Sequence, residues 1–229
     1  MHYPKIKGPF ERDKQTKKVI PGKWTCPEFE TLLHTPWVFS EKIDGMNISL
    51  DIGDDGLVTI GGRTKNALIP APLANKLVGC SQNIMGCVLE CCEGGTSDGN
   101  WLRGATLFGE GYGPGIQKGA CYRDDQDFIL FDIRTKSGRW LDDAEINSVA
   151  KKLCLDTVRS APHVCMLSTA ITLFAEEDSA SIYSTKTERC VAEGLVGRPV
   201  GGLLDKHGGR IIVKLKTRDL LGLDLEGVL

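Results

Sequence analysis

The chain has 229 residues, 41% hydrophobic and 25% charged, with a formal net charge of -2. These proportions are those of an ordinary globular protein and exclude collagen-like, low-complexity and charge-driven disordered chains. No apolar run is long enough to cross a bilayer and the N-terminus lacks a signal peptide's apolar core, so a cytoplasmic protein is expected.

In chain order, residues 1–35 read as an irregular basic lead-in carrying Lys5, Lys7, Lys14, Lys17, Lys18 and Lys23, with a short helix near 26–29. Strands are expected at 37–42, 46–52 and 57–63, with Gly53-Asp54-Asp55-Gly56 turning the last hairpin. A helix over 73–92 and a glycine-rich loop over 93–103 follow, then strands at 105–110 and 127–133. Asp142 or Asp143 caps a helix whose Ile146, Val149, Ala150 and Leu153 recur at i, i+3, i+4, i+7. The next helix spans 166–177, with Ala170, Leu173 and Phe174 on a face that turns polar at Glu177. Strands near 192–198 and 210–216 complete the chain. Hairpin strands mixed with a few helices predict an α+β protein rather than a doubly wound sheet, with 1–229 forming one domain.

Nine cysteines, an odd number without a secretion signal, are expected to be reduced and mostly buried. Cys87, Cys91 and Cys92 cluster without the CxxC pair that would start a zinc site. The four histidines have no metal-ligand spacing, and Gly109-Glu110-Gly111-Tyr112-Gly113 lacks the spacing of a dinucleotide fingerprint. The net charge does not advertise a nucleic-acid binder. Its distribution nevertheless allows a phosphate-binding surface, because Lys206, Arg210, Lys214, Lys216 and Arg218 add a second basic cluster to that of the lead-in.

Two segments carry chemistry. In Glu41-Lys42-Ile43-Asp44-Gly45-Met46-Asn47, a lysine between two strands is followed by an acid and a glycine, as a nucleophile held at a tight turn would be. Alone, the segment equally describes a surface lysine at a strand end. In 210–216, Ile211, Val213 and Leu215 share one strand face while Ile212, Lys214 and Lys216 share the other. Two lysines side by side repel unless an anion lies between or above them. Between these segments come Gly61-Gly62-Arg63, Leu107-Phe108-Gly109-Glu110-Gly111, Phe128-Ile129-Leu130-Phe131-Asp132 and Glu193-Gly194-Leu195-Val196.

In order and spacing this series resembles the covalent nucleotidyltransferases, the ATP-dependent polynucleotide ligases and mRNA capping enzymes. It is most similar to the nick-sealing RNA ligases of phages and RNA-editing systems, from Tyr3 to Asp219. The resemblance implies two antiparallel β-sheets enclosing a nucleotide pocket, with flanking helices. The expected departure from the family pattern is at the C-terminus, where only Thr217 to Leu229 follow the last motif and no OB or helical domain is expected. It implies an ATP-dependent RNA ligase that joins 5′-phosphate and 3′-hydroxyl RNA ends through a lysine-AMP intermediate on Lys42. Its partners would be RNA ends or a nicked RNA duplex, and it would act as a monomer. It assigns Lys214 and Lys216 to the triphosphate, with Lys214 nearest the α-phosphate, and Asp44, Glu110 and Glu193 to Mg²⁺ or Mn²⁺, largely through water. Glu110 would also meet the ribose, Phe131 would stack on adenine in preference to Phe128, and Glu41 would read the adenine edge. Arg63 would contact the ribose or the 5′-phosphate end, and Asn47 would act in the later steps. Deprotonating Lys42 is a chemical requirement that nearby cations and partial burial favour. Other readings are a DNA ligase, a GTP-dependent capping guanylyltransferase, and a non-catalytic module that binds nucleic-acid ends.

Overall fold

The computed structural model describes residues 2–64, 66–93, 102–159 and 163–229, with 90–93 described by their backbone. The loop expected over 93–103 lies mostly outside these residues, as do the Cys91 and Cys92 side chains. In chain order the elements are β1 (Phe10–Arg12), β2 (Val19–Trp24), α1 (Pro27–Thr31), β3 (Pro36–Lys42), β4 (Met46–Ile52), β5 (Val58–Gly62) and α2 (Ala71–Glu93). They continue with β6 (Thr106–Tyr112), β7 (Asp127–Arg134), α3 (Asp143–Lys152), β8 (His163–Met166), α4 (Leu167–Glu176), β9 (Gly194–Pro199), β10 (Val213–Lys216) and α5 (Thr217–Leu220). The chain divides into two compact units, Met1–Pro4 with Asp44–Ser160 and Lys5–Ile43 with Ala161–Leu229. No helix among the described residues is long and apolar enough to cross a membrane.

The first unit is built on an antiparallel sheet in the order β5-β4-β6-β7. Alternation along β4 turns Ile48, Leu50 and Ile52 into a core shared with Leu73, Leu77 and Ile84 of α2 and Ile146 and Val149 of α3. Asp142, one of the two capping candidates, is the cap. Its carboxylate accepts the Glu145 amide at 2.8 Å while Glu145 accepts the Asp142 amide at 2.9 Å, a reciprocal capping box.

The second unit holds the sheet β10-β9-β3-β8, every neighbour antiparallel. Trp37, Phe39, Val213 and Leu215 pack one face against Leu167, Ala170, Ile171 and Phe174 of α4. Leu173, expected on that helix face, is exposed instead, because Ile171 completes the buried stripe.

Four elements escaped the sequence reading. The lead-in contains the hairpin β1–β2, pinned where Phe10 meets Trp24 at 4.7 Å between rings; the Pro-Gly inside β2 disguises it. The short β8 merges into α4, and α5 is a single turn. The cysteine expectation also needs correction. Cys121 and Cys190 are each engaged in a disulfide, and of the free thiols Cys80 is buried, Cys26, Cys87 and Cys165 are half-buried, and Cys154 is exposed.

Candidate active site

In the second unit, strand register gathers five of the expected residues. Lys42 ends β3 opposite Gly194 of β9, and Gly194 in turn lies opposite Lys216 of β10. Ser40, Val196 and Lys214 form the neighbouring row. Residues two apart on a strand share a face, so Lys42, Lys214 and Lys216 stand on the face opposite the apolar packing of Trp37, Phe39, Val213 and Leu215. Gly194 lets this happen. A Cβ there would lie 1.8 Å from the Leu215 carbonyl oxygen, and its φ of +151 is one that side chains rarely adopt.

Glu193, one residue earlier, fills the space between the lysines. Its Oε2 accepts from Lys42 Nζ and its Oε1 from Lys216 Nζ. The backbone is pinned on both sides, since the Thr217 amide donates to the Glu193 carbonyl at 3.0 Å and the Thr217 hydroxyl to the Ala192 carbonyl at 2.9 Å. Burial pushes the Glu193 carboxyl up, but the Lys42 and Lys216 charges outweigh it and hold the group below the usual glutamate value. Among the described residues no carboxylate forms an ion pair with Lys214, and Asp219 raises it only weakly from a distance. Burial first, then the charges of Lys216, Lys42 and Lys5, push its ammonium below the usual lysine value.

Glu41 is only 6% exposed, and its Oε2 accepts the Ile182 amide at 2.9 Å. Its other oxygen, Oε1, is buried without a hydrogen-bond partner among the described residues. Burial pushes this carboxyl up, against hydrogen bonds from Ser181 and Ile182 that pull it down. A buried acceptor left unpaired costs about 1–3 kcal/mol, so the position favours a donor.

The first unit carries the other five. Asn47 of β4 pairs directly with Glu110 of β6, on the sheet face away from Ile48 and Leu50. Gly45, next to Asp44, lies against the same residue, for a Cβ on Gly45 would lie 2.8 Å from Glu110 Cγ and 2.2 Å from the Gly111 carbonyl oxygen. The Asp44 amide donates to the Tyr122 hydroxyl at 3.2 Å. Arg63 is exposed just past the end of β5.

Phe131 owes its position to a bulge. Phe108 pairs with Asp132 and Gly109 with Leu130, so Phe131 has no partner on β6. Its freed carbonyl accepts from Arg159 Nε at 2.8 Å. Phe128 is buried in the core with Leu130 and Ile133, whereas Phe131 stays half-buried. Tyr3, which the sequence reading missed, meets the Phe131 ring edge-on at 4.9 Å, touches Phe108 and Trp140, and donates its hydroxyl to Asp132 Oδ2 at 2.7 Å. A tyrosine in an irregular lead-in gives no sequence signal of that contact. Among the described residues, no three carboxylate, histidine or cysteine side chains gather as a metal cluster.

A family model described as RNA ligase matches residues 35–216. The fold is similar to that of the Naegleria gruberi RNA ligase. An apo variant of that enzyme gives a TM-score of 0.60 at 20% identity, over 95% of this chain and 62% of that one. A variant described with ATP and Mn and the enzyme described with PPi each give 0.60 at 21% identity, over 94% of this chain and 62% of theirs. This chain thus spans about 62% of the length of the ligase it matches. No curated protein matches it.

Proposed function

Because the chain belongs to the RNA ligase family, we propose that it is an ATP-dependent enzyme joining 5′-phosphate and 3′-hydroxyl RNA ends through AMP carried on Lys42. The observation that carries this reading is the Glu193 carboxylate bridging Lys42 and Lys216, with the half-buried Lys214 on the same sheet face. Lys42 is the nucleophile. Its Nζ attacks the α-phosphorus of ATP, the bond to the bridging oxygen breaks, and pyrophosphate leaves. Glu193 orients the Lys42 nitrogen, and Lys214 and Lys216 offset the negative charge that spreads over the phosphoryl oxygens. AMP then passes to a 5′-phosphate, and a 3′-hydroxyl displaces it to close the phosphodiester.

The orphaned Glu41 Oε1 suits adenine, whose exocyclic amine is a donor where guanine offers an acceptor. Phe131 supplies a half-exposed ring for the base, and Asn47 a neutral amide for the 5′-phosphate. Asp44 and Glu110 would hold a divalent ion, because Mg²⁺ is commonly held by one or two carboxylates and substrate phosphates while keeping its waters, and Gly45 beside Asp44 packs against Glu110. Such an ion, when bound, withdraws charge from the phosphate. A metal role for Glu193 would require its carboxylate to release one of its two lysines.

The test is incubation with ATP or GTP labelled at the α-phosphate, followed by denaturing electrophoresis. Labelling from ATP that is lost in Lys42→Ala supports the reading. Label that persists in the variant, or that comes more strongly from GTP, overturns it.

A further inference from the structure

Beside β10 the second unit has a cavity of about 780 Å³, open to solvent. Six cations line it, Lys5, Lys7, Arg12, Lys214, Lys216 and Arg218, against two acids, Glu11 and Asp219. The acids are engaged, Asp219 by Arg12 and, more loosely at 3.6 Å, by the exposed Arg218, and Glu11 by Lys23. Among the described residues no carboxylate pairs with Lys5, Lys7 or Lys214, and the Lys7 ammonium reaches only the Cys26 thiol, at 3.5 Å. Cations collected without counter-charges repel one another unless an anion sits among them.

Their arrangement says which anion. Lys214 and Lys216 lie two residues apart on β10. Lys5 and Lys7 lie two residues apart on the segment alongside, held there by a parallel bridge between Lys7 and Val213 and by the Lys214 amide donating to the Lys7 carbonyl at 2.9 Å. In extended chain two residues span about 6.6 Å, a step comparable to that between successive phosphates of a nucleic-acid strand. The volume lies high in the range of about 300–1,000 Å³ that holds whole organic ligands, far more than one inorganic anion fills.

We propose that this cavity seats the phosphodiester backbone of an RNA strand. Lys5, Lys7 and Arg218 make the backbone contacts, and Lys214 and Lys216 border the nucleotide end. Since Lys216 shares Glu193 with Lys42, the row of cations stops one ion pair short of the nucleophile. The inference rests on reading the chain as an RNA-joining enzyme.

The experiment measures binding of a fluorescent, 5′-phosphorylated single-stranded RNA to the full chain by anisotropy across a salt series, with Lys42 labelling from ATP followed in parallel. In Lys5→Gln/Lys7→Gln the slope of log affinity against log salt should flatten by about 1.4, and in Arg218→Gln by about 0.7, since each contact to a single strand contributes about 0.7. The loss should be equal across RNA sequences, with unfolding midpoints and adduct yield unchanged. Unchanged slopes overturn the proposal. So does weaker ATP binding at constant RNA slope, which would give the cavity to the triphosphate tail. Steep RNA binding that the double variant flattens, in a protein that forms no adduct, would sink the ligase reading and leave this site standing.

Discussion

Glu193 and Lys42 are partners, yet removing one is not equivalent to removing the other. Without Glu193, Lys42 and Lys216 lose their shared counter-charge beside the half-buried Lys214; without Lys42, Glu193 still holds Lys216. Glu193→Ala should therefore cost about 2 kcal/mol of stability and Lys42→Ala about half of that, measured by urea unfolding. Equal losses would mean that the bridge is not shared as the geometry shows. Glu41 poses the opposite case, a carboxyl pushed up by burial with one oxygen unpaired. A raised carboxyl contributes stability that is full below the usual glutamate value and is lost as pH rises through its folded value. Glu41→Gln escapes that loss, so its melting temperature should gain on the parent's as pH rises from about 4.5, while its adduct yield from ATP falls. A gap constant with pH would refute the assignment. The two phenylalanines separate in the same way. Phe128→Ala opens the core and should cost about 3–5 kcal/mol of stability. Phe131→Ala should leave the fold nearly intact and weaken ATP binding by about 1–3 kcal/mol, read by calorimetry.

At the scale of elements, β9 and β10 meet so closely at Gly194 that a methyl group there collides with backbone. Gly194→Ala should lower the unfolding midpoint and abolish adduct formation together; a stable variant that still labels would show that the strands can part without harm. Much of this layer was legible in the sequence. Alternation in 210–216 separated Val213 and Leu215 from Lys214 and Lys216, and the i, i+3, i+4 spacing with an acidic cap placed α3. What stayed hidden is set by tertiary contact. The strand β2 is held by Phe10 against Trp24, not by its own propensity, and the bulge at Phe131 exists only through the register of β6 against β7. Alternation alone would put Asp132 on the face of Leu130; the bulge reverses it and gives Asp132 to Tyr3.

Over the whole molecule the expected site residues fall into two sets, Glu41, Lys42, Glu193, Lys214 and Lys216 in one compact unit and Asp44, Asn47, Arg63, Glu110 and Phe131 in the other. The chain passes from one unit to the other between Ile43 and Asp44, inside the Lys-x-Asp-Gly motif itself. That motif was readable because its residues are neighbours in sequence. The bridge from Lys42 to Glu193 was not readable in the sequence, since 151 positions separate the partners and no local spacing relates them. Resemblance marked Glu193 as an acid of the site but not as the clamp on two lysines, a role visible only once β9 and β10 are paired.

That separation has a consequence for the birth of the protein. β4 to β7 can pair as the ribosome releases them, each strand antiparallel to one already made. β3 cannot, because both its neighbours, β8 and β9, come from the far end of the chain. At about 5–20 residues per second of synthesis, Trp37, Phe39 and Lys42 wait about 6–30 seconds for their partners. The strand bearing Lys42 is thus made well before the strands that enclose it. Ribosome-stalled chains ending before Gly194 should leave 36–42 open to proteolysis while 46–134 is already protected; early protection of 36–42 would contradict this order.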